Sequence, residues 1–407
     1  METMGTALRE GETKLQVRRV VISGYYGYHN SGDEAVLKSI LFALEEEGAR
    51  QGVLIEPVVL SGDPAWTTEM YGVQAVHRMR PGDVIRAIRG SDGLISGGGS
   101  LLQDATGAKS IPYYTGVMWL AQLLRKPVFV YAQGIGPVNR RWMDPLIRGV
   151  MNRSAYVSVR DAESAALLGR MGVPQDRINV VPDPVMGLPL PQAQPLARAG
   201  EAATGQGAAA APAAPGLAAE PAAAERLPLL GVSLRAWRKD GADLARAAAA
   251  LGALARSRAV RLRFLPFHTP SDAEASRWVM ERLGDLGGRS TAEIAEPGDD
   301  PQQMLLEVSR CDALFGMRLH ALIYAASQSV PMLGLSYDPK IDQFLKRLGL
   351  TPVGTTETLN PEAFAAAASV LLDNPEGWRD EHRDAIAQLK QESRRPAKQI
   401  AVLLRQS

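Results

Sequence analysis

Short apolar runs rich in β-branched residues alternate with helix-patterned segments along this chain, and the alternation occurs twice. In the first half, RRVVISG, VLIEPVVLSG, DGLISGGGS, PVFVYAQGIGP and AYVSVRD read as strands. DEAVLKSILFALEEEGA, TGVMWLAQLLR and DAESAALLGRMGV read as helices between them. Continuous apolar strands separated by helices are the pattern of a parallel sheet covered on both faces. The second half repeats it: PLLGVSLRAW, AVRLRFLPFH, TAEIAEP, DALFG and VPMLGLSYD are strands, and SDAEASRWVMERLGDLG, DPQQMLLEVSR and RLHALIYAASQ are helices. Between the halves, from about Pro189 to Pro228, the chain is almost all Ala, Pro and Gly. That tract has too few large apolar residues for a core, and its prolines interrupt any alanine helix. The expected architecture is therefore α/β, with two Rossmann-like domains over 16–188 and 229–407 joined by a flexible linker over 189–228. The last segment, from Pro361 onward, reads as helical and could pack on either domain.

A length of 407 residues exceeds what one core usually organises, and 46% hydrophobic residues can fill two. The net charge of +1 argues against a nucleic-acid binder that works through a broad basic field, so any anion site must be local. Cys311 is the only cysteine, which rules out an intramolecular disulfide. The N-terminus METMGTALREGETKLQVRR has no apolar secretory core, and GVMWLAQLL is too short to span a bilayer, so a cytoplasmic protein without a transmembrane segment is expected.

The local anion site is legible in FGMRLHALIYAASQSVPMLGLSYDPK, Phe315 to Lys340. Arg318 and His320 stand at a strand-to-helix turn, and Lys340 lies just past the next strand. If the two strands are parallel neighbours, their carboxyl ends bring all three residues to one edge facing the cleft. Arg offers a planar fork for carboxylate or phosphate, Lys a point charge, and His a proton near neutral pH. Arg160 directly follows the strand AYVSV, which aims it at the same cleft unless Asp161 or Glu163 holds it in a local pair. In GYYGYHNSGDE, Asn30 or Ser31 can cap the following helix, while Asn30 and Asp33 could also hydrogen-bond sugar hydroxyls or, for Asp33, act as a base. Gly97, Gly98 and Gly99 in SGGGSLLQD fit either close approach to a ligand or tight helix–strand packing. Gln133 in YAQGIGP and His268 in LPFHTPSD also end strands at the expected cleft edge. Neither a Walker loop, nor a full dinucleotide fingerprint, nor a G-x-S-x-G elbow is present, and no metal is expected because no ligand cluster has metal spacing.

Together, GMRLHALIYAASQSVPMLGLSYDPK, GYYGYHNSGDEA and SGGGSLLQD strongly resemble the polysaccharide pyruvyl transferase family. Within it, they are closest to the bacterial enzymes that pyruvylate the secondary cell-wall polymer anchoring S-layer proteins. The resemblance spans nearly the whole chain apart from the N-terminal extension and the Ala/Pro tract. It implies a GT-B-like fold, phosphoenolpyruvate as donor substrate with no other cofactor, and a lipid-linked N-acetylmannosamine acceptor at the cytoplasmic membrane face. The implied product carries a 4,6-linked pyruvate ketal. By matching motif, Arg160, His320 and Lys340 correspond to donor-site and catalytic residues, and Arg318 to a supporting anion ligand. Asn30, Asp33, Gly98 and Gly99 would lie nearer the acceptor. A GT-B glycosyltransferase using a nucleotide sugar is the alternative; it would commonly place a ribose-binding glutamate in the second domain, yet no Glu occurs between Glu307 and Glu357. In the C-terminal stretch QESRRPAKQIAVLLRQS, Arg394, Arg395, Lys398 and Arg405 could touch an anionic membrane surface, or form the solvated face of a packed helix.

Overall fold

In the computed structural model, residues 16–105, 107–191, 226–286 and 288–406 are described. The Ala/Pro linker therefore lies almost wholly outside the described residues. Among these, the N-terminal half forms a parallel sheet of β1 (Gln16–Tyr26), β2 (Val53–Ser61), β3 (Gln74–His77), β4 (Gly93–Ser96), β5 (Gly99–Leu102), β6 (Val128–Ile135), β7 (Tyr156–Val159) and β8 (Ile178–Val180). Its spatial order is β3-β2-β1-β4-β6-β7-β8, with β5 added beside β6. Helices α1 (Ser31–Gln51), α2 (Pro64–Tyr71), α3 (Pro81–Arg89), α4 (Ser110–Leu123), α5 (Asp144–Met151) and α6 (Ala162–Arg170) make the crossovers. The second sheet runs β11-β10-β9-β12-β13-β14. Its strands are β9 (Leu229–Ser233), β10 (Arg261–Phe264), β11 (Thr291–Ile294), β12 (Ala313–Gly316), β13 (Met332–Ser336) and β14 (Gly354–Thr355). It is wound with α7 (Ala242–Ser257), α8 (Ser271–Met280), α9 (Pro301–Ser309), α10 (Leu319–Ser327) and α11 (Pro339–Arg347), and the chain ends in α12 (Pro361–Asp373), α13 (Pro375–Ser393) and α14 (Arg395–Gln406).

All recorded strand pairs are parallel, so the two expected Rossmann-like domains are present. In each sheet the strand order reverses once, between β1 and β4 in the first and between β9 and β12 in the second. Crevices open outside the carboxyl ends of the strands at such reversals. The segments that leave them here are GYYGYHNSGDE, SGGGS and GMRLH. One core runs continuously through both halves, including Val36 and Ile40 of α1, Leu305 and Val308 of α9, and Ala321 and Tyr324 of α10. The two domains are therefore packed on each other at the base of the cleft.

The domain boundary expected at 229 does not describe the last helix. Helix α14 packs against α1, β2, β6 and β7 of the N-terminal half. Its residues Ala397, Ile400, Ala401 and Leu404 are fully buried, and Arg18 Nε donates to the Leu404 carbonyl at 2.8 Å. Burying these residues on the first sheet removes them from any membrane contact, and Arg395, Lys398 and Arg405 are left on the exposed face. No described helix is long and apolar enough to cross a membrane. Truncating Ile400 to alanine opens a void in a fully buried seam and should cost about 2–4 kcal/mol of unfolding free energy, whereas Lys398→Ala should change it by less than about 0.5 kcal/mol; denaturant titration of both variants checks the contrast.

Candidate active site

Arg160 leaves the end of β7 with its backbone N–H on the Gln133 carbonyl at 3.1 Å. Its guanidinium donates to Ser100 Oγ at 2.7 Å and to Asp183 Oδ2 at 3.1 Å. Asp161 is farther, at 3.8 Å, and caps α6 by accepting from the Ser164 N–H. The local pair that could have disarmed Arg160 is therefore secondary. Gly134 makes room for this arrangement, since a Cβ there would lie 2.9 Å from both Arg160 Nε and Ser100 Oγ.

From the other domain come His320 and Lys340. Strands β12 and β13 are parallel neighbours, so their carboxyl ends lie side by side as expected. Helix α11 starts there, with Asp338 as its cap, accepting from the Lys340 N–H at 3.0 Å. Lys340 Nζ reaches across the cleft to Ser100 Oγ at 3.4 Å, and no carboxylate lies within ion-pair distance of it among the described residues. His320, in the first turn of α10, rests against α1: a Cβ on Gly32 would come within 2.3 Å of its Nδ1. Its Nε2 is 3.9 Å from Asp183 Oδ2, too far for a hydrogen bond, and has no partner of its own among the described residues. An unpartnered, solvent-excluded ring nitrogen beside the Arg160–Asp183 pair calls for an explanation, and a ligand group would supply one.

The electrostatics push each of these groups towards its neutral form. Burial lowers the His320 pKa, and the nearby Arg160 and Arg318 charges lower it further against the opposing pull of Asp183. Burial, then Arg160, lowers Lys340. Asp33, in the first turn of α1, is raised to about 7, chiefly by desolvation and then by Glu34 beside it, while Arg160 pulls the other way. Such opposed shifts around one cleft are characteristic of sites that move protons and bind charge.

The other expected residues divide. Asn30 caps α1, its side chain accepting from the Gly32 N–H at 3.1 Å. Gly98 has a packing reason, because a Cβ there would strike Val36 Cγ1 at 2.8 Å. Gly99 opens β5 with φ of +90°, and a Cβ would sit 3.0 Å from Asp33 Oδ1, so tight packing against α1 accounts for both glycines. Three expectations change. Arg318 does not offer a free fork: it closes on the buried carboxylate of Asp272, with Nε to Oδ2 at 2.9 Å and Nη2 on Oδ1. His268 belongs to the same knot, its N–H on Asp272 Oδ2 at 3.0 Å and its Nδ1 at 2.9 Å from Ser271 Oγ. Gln133 is completely buried rather than at an open cleft edge, donating to Ser96 Oγ at 2.7 Å, with its Oε1 left without a partner among the described residues. Sequence reasoning also missed two members. Asp183 follows β8 in VVPDPVMG and Ser100 ends the glycine run; a lone carboxylate between two prolines just past a strand was the available signal for the first. No group of three or more His, Cys, Asp or Glu among the described residues could hold a metal.

Residues 30–339 match the family model for polysaccharide pyruvyl transferase, a span that includes Arg160, Asp183 and His320. The chain belongs to the polysaccharide pyruvyl transferase family. It is thus an enzyme of polysaccharide pyruvyl transfer. No curated protein matches it. Solved structures of similar shape include a putative UDP-N-acetylglucosamine 2-epimerase from Listeria monocytogenes, 14% identical over 94% of each chain with a TM-score of 0.60. The UDP-GlcNAc 2-epimerase of Methanocaldococcus jannaschii is 11% identical, covering 96% of this chain and all of its own, with a TM-score of 0.59. That of Neisseria meningitidis, bound to UDP-GlcNAc, is 12% identical with a TM-score of 0.57, again over 96% and 100% of the two chains. At these identities the likeness concerns the fold, which is the GT-B-like pair of facing α/β domains.

The Asp33 shift has a sign that stability measurements can read. The folded transferase holds the Asp33 proton up to about pH 7, whereas the unfolded chain releases it near 3.8. Between those values unfolding releases a proton, so this group's contribution to stability falls as pH rises. Asp33→Asn removes that loss: its melting temperature should match wild type near pH 4, exceed it increasingly towards pH 7, and hold the advantage above. Equal melting curves at pH 8 would show that Asp33 ionises without penalty.

Proposed function

We propose that the enzyme transfers pyruvate from phosphoenolpyruvate to an N-acetylmannosamine residue of a lipid-linked cell-wall polysaccharide precursor, releasing phosphate and forming a 4,6-ketal. The observation that carries this reading is the meeting of Arg160 and Lys340, one from each domain, on the hydroxyl of Ser100, with the unpartnered Nε2 of His320 beside them. A small donor bearing both a carboxylate and a phosphate is the kind of molecule for which two such cations must converge.

In this reading Arg160 and Lys340 hold the donor's two anionic groups. The arriving negative charge opposes the depression of His320, so the imidazole takes up a proton when the donor binds. That proton goes to the methylene carbon of the enol, leaving a cationic carbon stabilised by the enol oxygen. One sugar hydroxyl adds to this carbon and gives up its proton, for which Asp33, with a pKa of about 7, is a suitable base. Phosphate departs with the enol oxygen, and the second hydroxyl closes the ketal. The two hydroxyl protons then account for the new methyl hydrogen and the proton on the phosphate. The nucleotide-sugar alternative draws on the fold alone, through neighbours such as the UDP-GlcNAc-bound epimerase.

The direct test is ligand-induced thermal stabilisation, because a ligand that binds only the folded state raises its melting temperature. Phosphoenolpyruvate should stabilise wild type but not Arg160→Ala, and UDP and UDP-N-acetylglucosamine should stabilise neither. Stabilisation by the UDP compounds without a response to phosphoenolpyruvate would transfer the assignment to a glycosyltransferase. In a phosphate-release assay, His320→Ala should lose on the order of a hundredfold or more in turnover with its circular dichroism unchanged.

A further inference from the structure

The junction from the end of β1 to the first turn of α1, which delivers Asn30, Gly32 and Asp33 to the cleft, also carries two tyrosines that the donor chemistry does not use. Tyr25 and Tyr28 are 42% and 41% exposed, and their rings stack with centroids 4.3 Å apart and an interplanar angle of 13°. Large aromatic rings left in water on a loop are usually free to reorient. Here the surroundings hold them. Tyr28 lies over Gly62, where a Cβ would come within 2.7 Å of its Cζ. The buried Arg78 sits beneath the pair, its guanidinium carbon 5.9 Å from the Tyr25 ring centroid and 5.7 Å from that of Tyr28. Arg78 is itself fixed, donating to the Gly24 carbonyl at 2.8 Å and to Tyr114 Oη at 3.1 Å, and stacking 4.4 Å from the Tyr113 centroid. Tyr113 Oη donates back to the Arg78 carbonyl at 3.1 Å. The result is a braced aromatic surface, continuous along one loop with the Gly32–His320 contact.

We propose that the Tyr25–Tyr28 pair, braced by Arg78, is an acceptor subsite that stacks the ring of a saccharide unit next to the one receiving pyruvate. This inference rests on the reading that the cleft pyruvylates a saccharide. A pyranose ring presents a face of C–H groups, and the negative face of an aromatic ring attracts such weakly positive hydrogens while its apolar area is covered. A polysaccharide acceptor extends beyond its reacting sugar, and binding a remote unit orients the reacting hydroxyls without contact at the reacting carbon. Arg78 is buried and bonded to a carbonyl and a phenol beside four rings, and its one unpartnered nitrogen, Nε, is shielded from solvent, so it stiffens the platform and offers no accessible donor to phosphate. The recognised chemistry is therefore a neutral sugar ring.

The experiment uses the full chain as wild type, as a Tyr25→Ala/Tyr28→Ala double variant and as a Tyr25→Phe/Tyr28→Phe double variant. Each is titrated calorimetrically, with phosphoenolpyruvate present, against tetrasaccharides of β-linked N-acetylmannosamine, β-linked N-acetylglucosamine and galactose. Thermal stabilisation by phosphoenolpyruvate alone is recorded on the same samples. The expected result is that at least one tetrasaccharide binds wild type, that the alanine pair weakens it by about tenfold, and that the phenylalanine pair retains it. Equal affinity in wild type and the alanine pair overturns the subsite, as does failure of every tetrasaccharide to bind wild type. The phosphoenolpyruvate shift separates the two readings: saccharide binding that depends on the tyrosines, in a protein that phosphoenolpyruvate does not stabilise, upholds the subsite and removes the donor assignment.

Discussion

One buried carboxylate holds the cleft together. Asp183 takes the Arg160 guanidinium on Oδ2, faces the His320 ring across 3.9 Å, and accepts the Val185 N–H on Oδ1. That last bond starts the short turn Pro184–Gly187, which packs on α1, α10 and α13 and so ties both domains to the end of the first sheet. Without Asp183, the positive charge of Arg160 would be buried beside an imidazole and an ammonium, with Asp161 at 3.8 Å as its remaining ion pair. A buried charge stripped of its partner costs far more than a surface pair ever contributes. From the far side, Arg347 in the last turn of α11 donates to the Arg160 carbonyl at 3.2 Å and pairs with Glu392 at 3.4 Å. The position of Arg160 is thereby fixed at both its backbone and its side chain, by residues from opposite halves of the chain.

The protonation pattern follows from that arrangement. Burial weakens the charge on His320 and Lys340, and the Arg160 guanidinium beside them adds to the effect, against the pull of Asp183 on His320. Asp33, a step away and crowded by Glu34, sheds charge in the opposite sense. Glu34 is itself structural: it accepts the Gly27 N–H at 2.9 Å and the Tyr71 hydroxyl at 2.8 Å, which shapes the loop in front of the helix. The cleft therefore holds its cations and its Asp33 carboxyl with their charge weakened, chiefly by burial.

Much of this was legible in the residues, for identifiable reasons. Parallel strands buried on both faces leave continuous apolar runs, and those runs located ten of the strands. The adjacency of β12 and β13 follows from sequence order in a doubly wound sheet, and it brings His320 and Lys340 to one edge. Arg318 shares that motif but was misjudged, because its partner Asp272 lies in a different crossover and nothing local announces the pairing. Gln133 was expected at a strand end, but β6 continues to Ile135 and is buried along its whole length. Helix α7 was not read because its alanine-rich sequence resembles the low-complexity tract shortly before it. Helix α11 was not read because its nine residues follow a strand with only the Asp338-Pro339 start signal. Asp183 acts through Arg160, 23 positions before it, and His320 in the other domain, and α14 docks through contacts such as Arg18 to Leu404, 386 positions apart; no local pattern encodes either.

The return of α14 to the first sheet also has a consequence in time. The strands of that sheet are complete by Val180, yet the helix that covers one of its faces begins only at Arg395. At ribosomal rates of roughly 5–20 residues per second, the sheet waits about 10–40 s with the α14 seat beside α1 unfilled. The usual order, in which an N-terminal domain finishes before its successor emerges, is closed to this chain. Its first domain is completed by a helix made after the whole second domain, so the two halves mature as one unit, and a nascent chain stalled between them leaves the α14 seat on that sheet open to whatever chaperone is near.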